Sequence, residues 1–274
     1  MAGHATTFVA EAPDHALGQY QAWRAMNGAQ TALDLAWISI AHSETPAAHR
    51  LLPHGEPSIA VLRRRDKAGD VAALDLVVCG PYYQGKHYRP SPNEELIAWR
   101  VKPEHAAILF GVAPRDYGAH PHVAAPERLK AACQKTLVLS EHGSGADILA
   151  SLHDDLMCFA QSAKTKAGPE MIAAQWLRDS EGRLRLRDIA ARLEVSERNL
   201  RRRFADHVGC SPKTYARHLQ ITAAALAAEK TAAPDWAEVA AGAGFHDQAH
   251  MINAFQSAIS LTPKAFHAER RGLL

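Results

Sequence analysis

Cysteine is scarce in this chain: Cys79, Cys133, Cys158 and Cys210 are the only four among 274 residues, far apart, with no CxxC pair and no Cys/His cluster. That pattern excludes a disulfide framework and a zinc site of familiar spacing, and fits the reduced, packing thiols of a cytosolic protein. Long apolar runs are missing too, and none approaches the roughly eighteen residues that a membrane span requires. The opening stretch MAGHATTFVAEAPDHALG has neither a basic start nor a sustained apolar core, so no signal peptide is expected and the expected location is the cytoplasm, without membrane association. There is no P-loop, no Gly-x-Ser-x-Gly and no Cys/His pair at motif spacing, and Gly143-Ser144-Gly145 marks only a loop. The expectation is therefore a protein that is not an enzyme, with no catalytic residue and no cofactor.

Histidine is plentiful, with sixteen copies, but His42, His49, His54, His87, His105, His120 and His122 show no His-x-His core with a downstream Glu and His at strand spacing. His120 and His122 sit beside prolines in an expected loop, and no functional metal is expected. The segment GPYYQGKHY (80–88) gathers Tyr82, Tyr83 and Tyr88, which could wall a ligand pocket or equally serve as surface or core tyrosines.

What is present is a globular composition, 47% hydrophobic and 22% charged, in a chain long enough for two domains. The net charge of +2 hides an asymmetry. From Glu181 onward there are fourteen Lys and Arg against ten Asp and Glu, whereas residues 1–180 hold seventeen against nineteen. Between Arg183 and Arg203 eight arginines face three acids, a local basic patch that suggests a polyanionic partner.

The pattern along the chain predicts an α+β protein in three parts: a β-rich domain over 1–125, a helical linker or dimerisation region over 126–180, and an all-α region over 181–274. In the first part, 32–41, 57–65, 71–80, 94–101 and 106–112 read as strands. They are separated by turn formers at 53–57, 67–70, 79–81, 89–93 and 102–105, as in an antiparallel sandwich or barrel without intervening helices. From about Pro126 the period becomes helical. PERLKAACQKTL is followed by DILASLHDDLMCFAQSAK, which puts Ile148, Leu149, Leu152, Leu156 and Phe159 on one face. In KAGPEMIAAQWLRDSEG, Gly168-Pro169 marks a helix start and Ser180-Glu181-Gly182 a stop. Ser211-Pro212 caps a long helix, and Ala233-Pro234-Asp235 separates it from the next.

LRDIAARLEVSERNLRRRF (186–204) fits a helix-turn-helix. Leu186, Ile189, Ala190 and Leu193 make the first amphipathic helix, Glu194-Val195 the turn, and Ser196 the N-cap of the second, with Glu197 in its positive first turn. At about 100° per residue Leu200 and Phe204 share a face, while Arg198, Arg201 and Arg202 lie roughly 160°, 100° and 200° from Leu200 and point outward; Arg203, about 60° away, edges the core. Such a helix can enter a major groove, where arginine bonds guanine edges or phosphates; a helix hairpin with a solvated basic face is the other reading.

The same layout returns some fifty residues later in WAEVAAGAGFHDQAHMINAF (236–255). Val239 and Ala240 match Ile189 and Ala190, Phe245 matches Val195, Asp247 matches Ser196, and Met251 and Phe255 match Leu200 and Phe204. The outward positions are then Ala249, Ile252 and Asn253. Asn253 could bond an adenine edge, and Ala249 or Ile252 could touch a thymine methyl or simply pack. Two such units joined by one long helix could meet successive major-groove faces about one DNA turn apart. The candidate DNA contacts are Arg198, Arg201, Arg202, Gln248, Ala249 and Asn253.

At these residues the chain resembles the arabinose-regulator (AraC/XylS) family of bacterial transcription factors. SERNLRRRFADHVGCSPKTYARHL resembles that family's first recognition helix, its Gly-x-Ser-Pro turn and the start of its linker helix, and GFHDQAHMINAF with LTPKAF resembles its second signature. The likeness runs from about Leu184 to Arg271. It departs at Gln220, where the family usually has Arg, and at Ser260, where it usually has Gly. HRLLPHGEPSIAVL, VVCGP and AILFGVAPRDY resemble, more loosely, a sensor-type domain of one family branch, with His54 in the place of its usual acidic residue. What the resemblance implies is a cupin-like N-terminal domain that binds a small-molecule effector or mediates self-association, and a sequence-specific regulator, an activator by family habit. Its implied partners are double-stranded DNA and RNA polymerase, and its implied form a homodimer. Control by a protein partner, or a cupin-type metalloenzyme fused to a DNA-binding tail, are the alternatives.

Overall fold

A computed structural model describes residues 6–15, 18–25, 32–41, 46, 48–111, 123–162 and 168–271. In chain order the first half forms β1 (Thr6–His15), β2 (Gly18–Ala25), β3 (Leu33–Ala41), β4 (His49–Leu51), β5 (Ser58–Arg65), β6 (Val71–Cys79), β7 (Lys86–Tyr88) and β8 (Glu94–Val101). Then come α1 (Pro103–Phe110), β9 (Val123–Ala124), α2 (Glu127–Ala132), α3 (Gln134–Leu139) and α4 (Gly145–Ser162). The rest is helical: α5 (Pro169–Asp179), α6 (Leu186–Arg192), α7 (Glu197–Val208), α8 (Pro212–Glu229), α9 (Trp236–Gly242), α10 (Gln248–Ile259) and α11 (Pro263–Arg271). The chain divides into two compact units, one of residues 1–49, 56–80 and 87–165, the other of 50–55, 81–86 and 166–274. Among the described residues no helix is long and apolar enough to cross a membrane.

The first unit is built on an antiparallel sheet in the order β1-β2-β3-β8-β5-β6-β9, with β4 and β7 paired separately. Side chains alternate across it as the period of two requires. Ile59, Val61, Leu76, Val78, Ile97 and Trp99 belong to the main core, while Ala60, Val77, Cys79 and Ala98 form a smaller cluster of their own. Helix α4 covers the main core with Ile148, Leu149, Leu152 and Leu156, and Phe159 packs at its edge. The Trp99 indole N–H donates to the Leu149 carbonyl at 2.8 Å, tying β8 to that helix. The buried Arg63 on β5 stands opposite Glu95 of β8. Its guanidinium bonds that carboxylate and the carbonyls of Ser140 (3.1 Å) and Gly143 (3.0 Å), so the buried charge is paired and hydrogen-bonded.

Of residues 106–112, expected as a strand, 106–110 are helical and 111 is a bend, residue 112 lying outside the described residues. Pro103, placed in the expected turn 102–105, is the first residue of α1, where its missing N–H costs nothing. Ala106, Leu109 and Phe110 fall on one buried face, and Gly111 ends the helix at φ 78°. A helix thus intervenes among the strands. The segment PERLKAACQKTL is two helices, α2 and α3, meeting at Cys133. Strands β1 and β2 were not among the expected ones.

In the second unit α5, α6, α7 and the start of α8 enclose Ala173, Ala174, Leu177, Ile189, Leu200, Phe204, Val208 and Tyr215. The remainder of α8 closes a second cluster with α9, α10 and α11, around Ile221, Ala224, Ala225, Phe245, Met251, Phe255 and Phe266. Helix α8 is therefore shared. It spans 18 residues, starts with Pro212 at its first position, and is capped by Ser211, whose Oγ accepts the Thr214 N–H at 3.1 Å.

Candidate nucleic-acid interface

Two helix-turn-helix pairs, α6–α7 and α9–α10, are built by the same local devices. The Val195 N–H donates to the Ala190 carbonyl (3.1 Å) and the Glu194 N–H to Ala191 (3.2 Å). The counterparts are Phe245 to Ala240 (2.9 Å) and Gly244 to Ala241 (3.0 Å). Both are Schellman closures, in which a left-handed residue lets the chain turn back over its last helical carbonyls. Glu194 (φ 54°) and Gly244 (φ 78°) hold that conformation. Gln220 on α8 donates to the Gly244 carbonyl at 3.0 Å and so steadies the second turn.

The second helix of each pair begins with a side-chain cap. Ser196 accepts the Asn199 N–H (3.3 Å), and Asp247 accepts the His250 N–H (2.7 Å). Asp247 is held below the usual carboxylate range, first by that backbone bond and then by its bond to His246. Helix α7 packs inward through Leu200, Phe204 and Val208, and α10 through Met251, Ala254, Phe255 and Ile259.

Arg198, Arg201 and Arg202 of α7 are all exposed, Arg198 and Arg202 opposite the packed face and Arg201 on its flank. Arg201 pairs with Glu197 one turn back at 2.8 Å yet keeps 63% of its side chain exposed, and Arg202 bonds the Asn199 side chain at 3.3 Å. Arg203 edges the core as its angle predicts, clasping the buried Glu170 of α5 at 2.6 and 3.2 Å. On α10, Gln248, Ala249 and Asn253 are exposed and Ile252 is half-buried. Helix α10 carries no Lys or Arg, in contrast to α7.

The three tyrosines of 80–88 go different ways. Tyr82 is buried in the second unit against His54, Tyr83 in the same unit donates its hydroxyl to the Val208 carbonyl at 3.2 Å, and Tyr88 in the first unit bonds Glu94. A cavity of about 340 Å³ in the first unit is lined by Ile40, Asn93, Glu95 and the 65–69 turn, and by none of these tyrosines. Among the described residues no group of three His, Cys, Asp or Glu could hold a metal; His42, His120 and His122 lie outside them. Sequence reasoning did not anticipate Glu170 or Arg50 as partners of the helical unit, since both reach it by tertiary packing alone.

Residues 189–269 match a family of helix-turn-helix domains. Among solved structures, the chain is similar to the C-terminal domain of AraT, a response regulator from Geobacillus stearothermophilus, with 22% identity and a TM-score of 0.35 over 38% of this chain and 88% of that one. The DNA-binding domain of AdpA, a global transcriptional factor solved with a target DNA, gives 23%, 0.36, 39% and 96% respectively. ToxT from Vibrio cholerae O395 gives 11% and 0.43 over 86% of this chain and 97% of that one. No curated protein matches the chain. The matched span begins within α6 and takes in α7, the shared helix and the second pair, and so residues 189–269 are a helix-turn-helix domain of the AraC type and the chain is a DNA-binding transcription regulator.

Proposed function

We propose that the chain reads a specific two-box DNA site, with α7 and α10 entering successive major grooves about one helical turn apart. The observation that carries this reading is the outward set of Arg198, Arg201 and Arg202, all exposed on α7 while Leu200, Phe204 and Val208 are buried. These arginines take guanine edges or phosphates, and Gln248, Ala249 and Asn253 read the second box. Selection of bound duplexes from a random pool tests it. The expected product is two short boxes about one turn apart, and a single recovered box would remove α10 from the reading. Changing the three arginines together to alanine is expected to abolish measurable binding in a filter titration, and full retention of affinity would overturn the assignment. Control of this activity by a small-molecule effector through the N-terminal half, in a homodimer, is the reading favoured by the likeness of His49–Leu62 to sensor-type sequences.

A further inference from the structure

The second unit contains two short segments, 50–55 and 81–86, besides its helices. They are joined to each other by the Tyr82 N–H donating to the His54 carbonyl at 2.9 Å. From that joint they run to the C-terminal ends of both reading helices. At α7, the Tyr83 hydroxyl reaches the Val208 carbonyl at 3.2 Å. At α10, the Gly85 N–H donates to the Ala258 carbonyl at 2.8 Å and the Arg50 guanidinium to that of Ile259 at 3.1 Å. Arg50 also clasps Glu269 of α11 at 3.2–3.4 Å. Between the two ends the segments lie on the shared helix, with Gly55 against the Tyr215 ring and Tyr83 stacked on His218.

The last carbonyls of a helix have no partner within it and carry the negative end of its dipole. Donors placed there hold a helix by its end and leave its reading face open. Here one pair of segments does this to both reading helices at once. A side chain at position 85 would collide with Ile259, its Cβ falling 2.7 Å from that residue's Cγ2, so the close approach requires glycine there.

We infer that segments 50–55 and 81–86 are a strap that fixes the spacing of the two reading helices, with Arg50, Tyr83 and Gly85 as positioning residues. The inference rests on the two-box reading above. When two modules must engage together, fixing one relative to the other raises the effective concentration of the second without adding a DNA contact. A strap of this kind therefore acts on two-box duplexes and leaves single-box duplexes untouched.

The test titrates the full chain with three sets of duplexes: the selected two-box site, the same boxes with the spacer changed by one to three base pairs, and the first box alone. Wild type is compared with Arg50→Gln/Tyr83→Phe and with Arg50→Lys. For the double variant we expect a loss on the order of tenfold on the two-box site, a flattened spacer preference, and single-box affinity within about twofold of wild type. Arg50→Lys, which keeps a cation at the end of α10, should recover part of the loss. An unchanged spacer preference in the double variant, or an equal fall on one-box and two-box duplexes, overturns the strap. A wild type that gains nothing from the second box overturns the two-box reading itself, a separate result visible before any variant is examined.

Discussion

Ser260 ends α10 in the left-handed conformation, φ 59° and ψ 23°, where its Cβ crowds the following carbonyl. Glycine occupies such positions without that clash. Ser260→Gly is accordingly expected to stabilise the chain by about 0.5–1 kcal/mol, seen as a higher urea midpoint at unchanged m. Gly182 presents the opposite case. At φ 79° its added Cβ would lie 2.3 Å from the Ala216 carbonyl, so no side chain fits there. Glu170 is the residue on which the fit of α5 to α7 turns. Burial is the largest influence on its pKa and raises it, but the Arg203 hydrogen bonds, the Glu170 backbone bond and the charges of Arg203 and His207 together outweigh that and leave it lowered. A carboxylate lowered on folding stabilises at neutral pH, and that contribution is lost as pH falls through about 4.5 towards the native value. Glu170→Gln should cost about 1–3 kcal/mol at pH 7, less than a fully buried pair because Arg203 stays 38% exposed. In the variant, the fall in denaturation midpoint below pH 5 should be shallower than in wild type.

At the level of helices and strands, the duplicated α6–α7 and α9–α10 pairs were legible because their signals are local. A capping Ser196 or Asp247, a left-handed turn residue and apolar positions four apart all lie within twenty residues. The strands at 33–41, 58–65, 71–79 and 94–101 were legible for the same reason. Helix α1 was not, since a seven-residue apolar run has no readable period and only the packing of Leu109 and Phe110 decides it. The partners of Tyr83 and Arg50 were beyond reach, separated from them by 125 and 219 positions. The buried His218 of α8 makes the Tyr83 contact measurable. Desolvation first, and the Arg217 charge after it, push its pKa down to about 4, against a smaller opposing effect of a bond with the Tyr83 backbone. The unfolded chain then binds a proton in a range where the native chain does not. Stability from this residue is complete above about 6.5 and declines as pH falls towards about 4. Replacing it as His218→Gln should flatten the midpoint-against-pH curve within that window; a curve of unchanged slope would show that the imidazole stays hydrated.

For the molecule as a whole, the decisive asymmetry is electrostatic. Eight of the chain's cationic side chains lie between Arg183 and Arg203, while α10 has none. Phosphate neutralisation releases counterions, so log K falls with log salt by about 0.9 for each phosphate contact on duplex DNA. Arg202→Ala, where Arg202 meets a phosphate, should reduce that slope by about 1 and weaken all sequences alike. Where it meets a guanine it should cost about 1–3 kcal/mol at one base position. Asn253→Ala should leave the slope unchanged and relax only the second box. Equal salt slopes for the two variants would contradict the division of labour between α7 and α10.

The shared helix α8 has a consequence for how this protein can change over time. Its 18 residues rise about 27 Å, and each residue added would swing everything beyond it by about 100°. Single-codon gains or losses inside 212–229 would therefore turn one reader off the duplex altogether, whereas the exposed loop at 231–233 can lengthen freely. On the proposed two-box reading, the length of this rod and the strap across its two bundles set the operator spacing together, and new operators are met by changing letters on the reading faces while that ruler is kept.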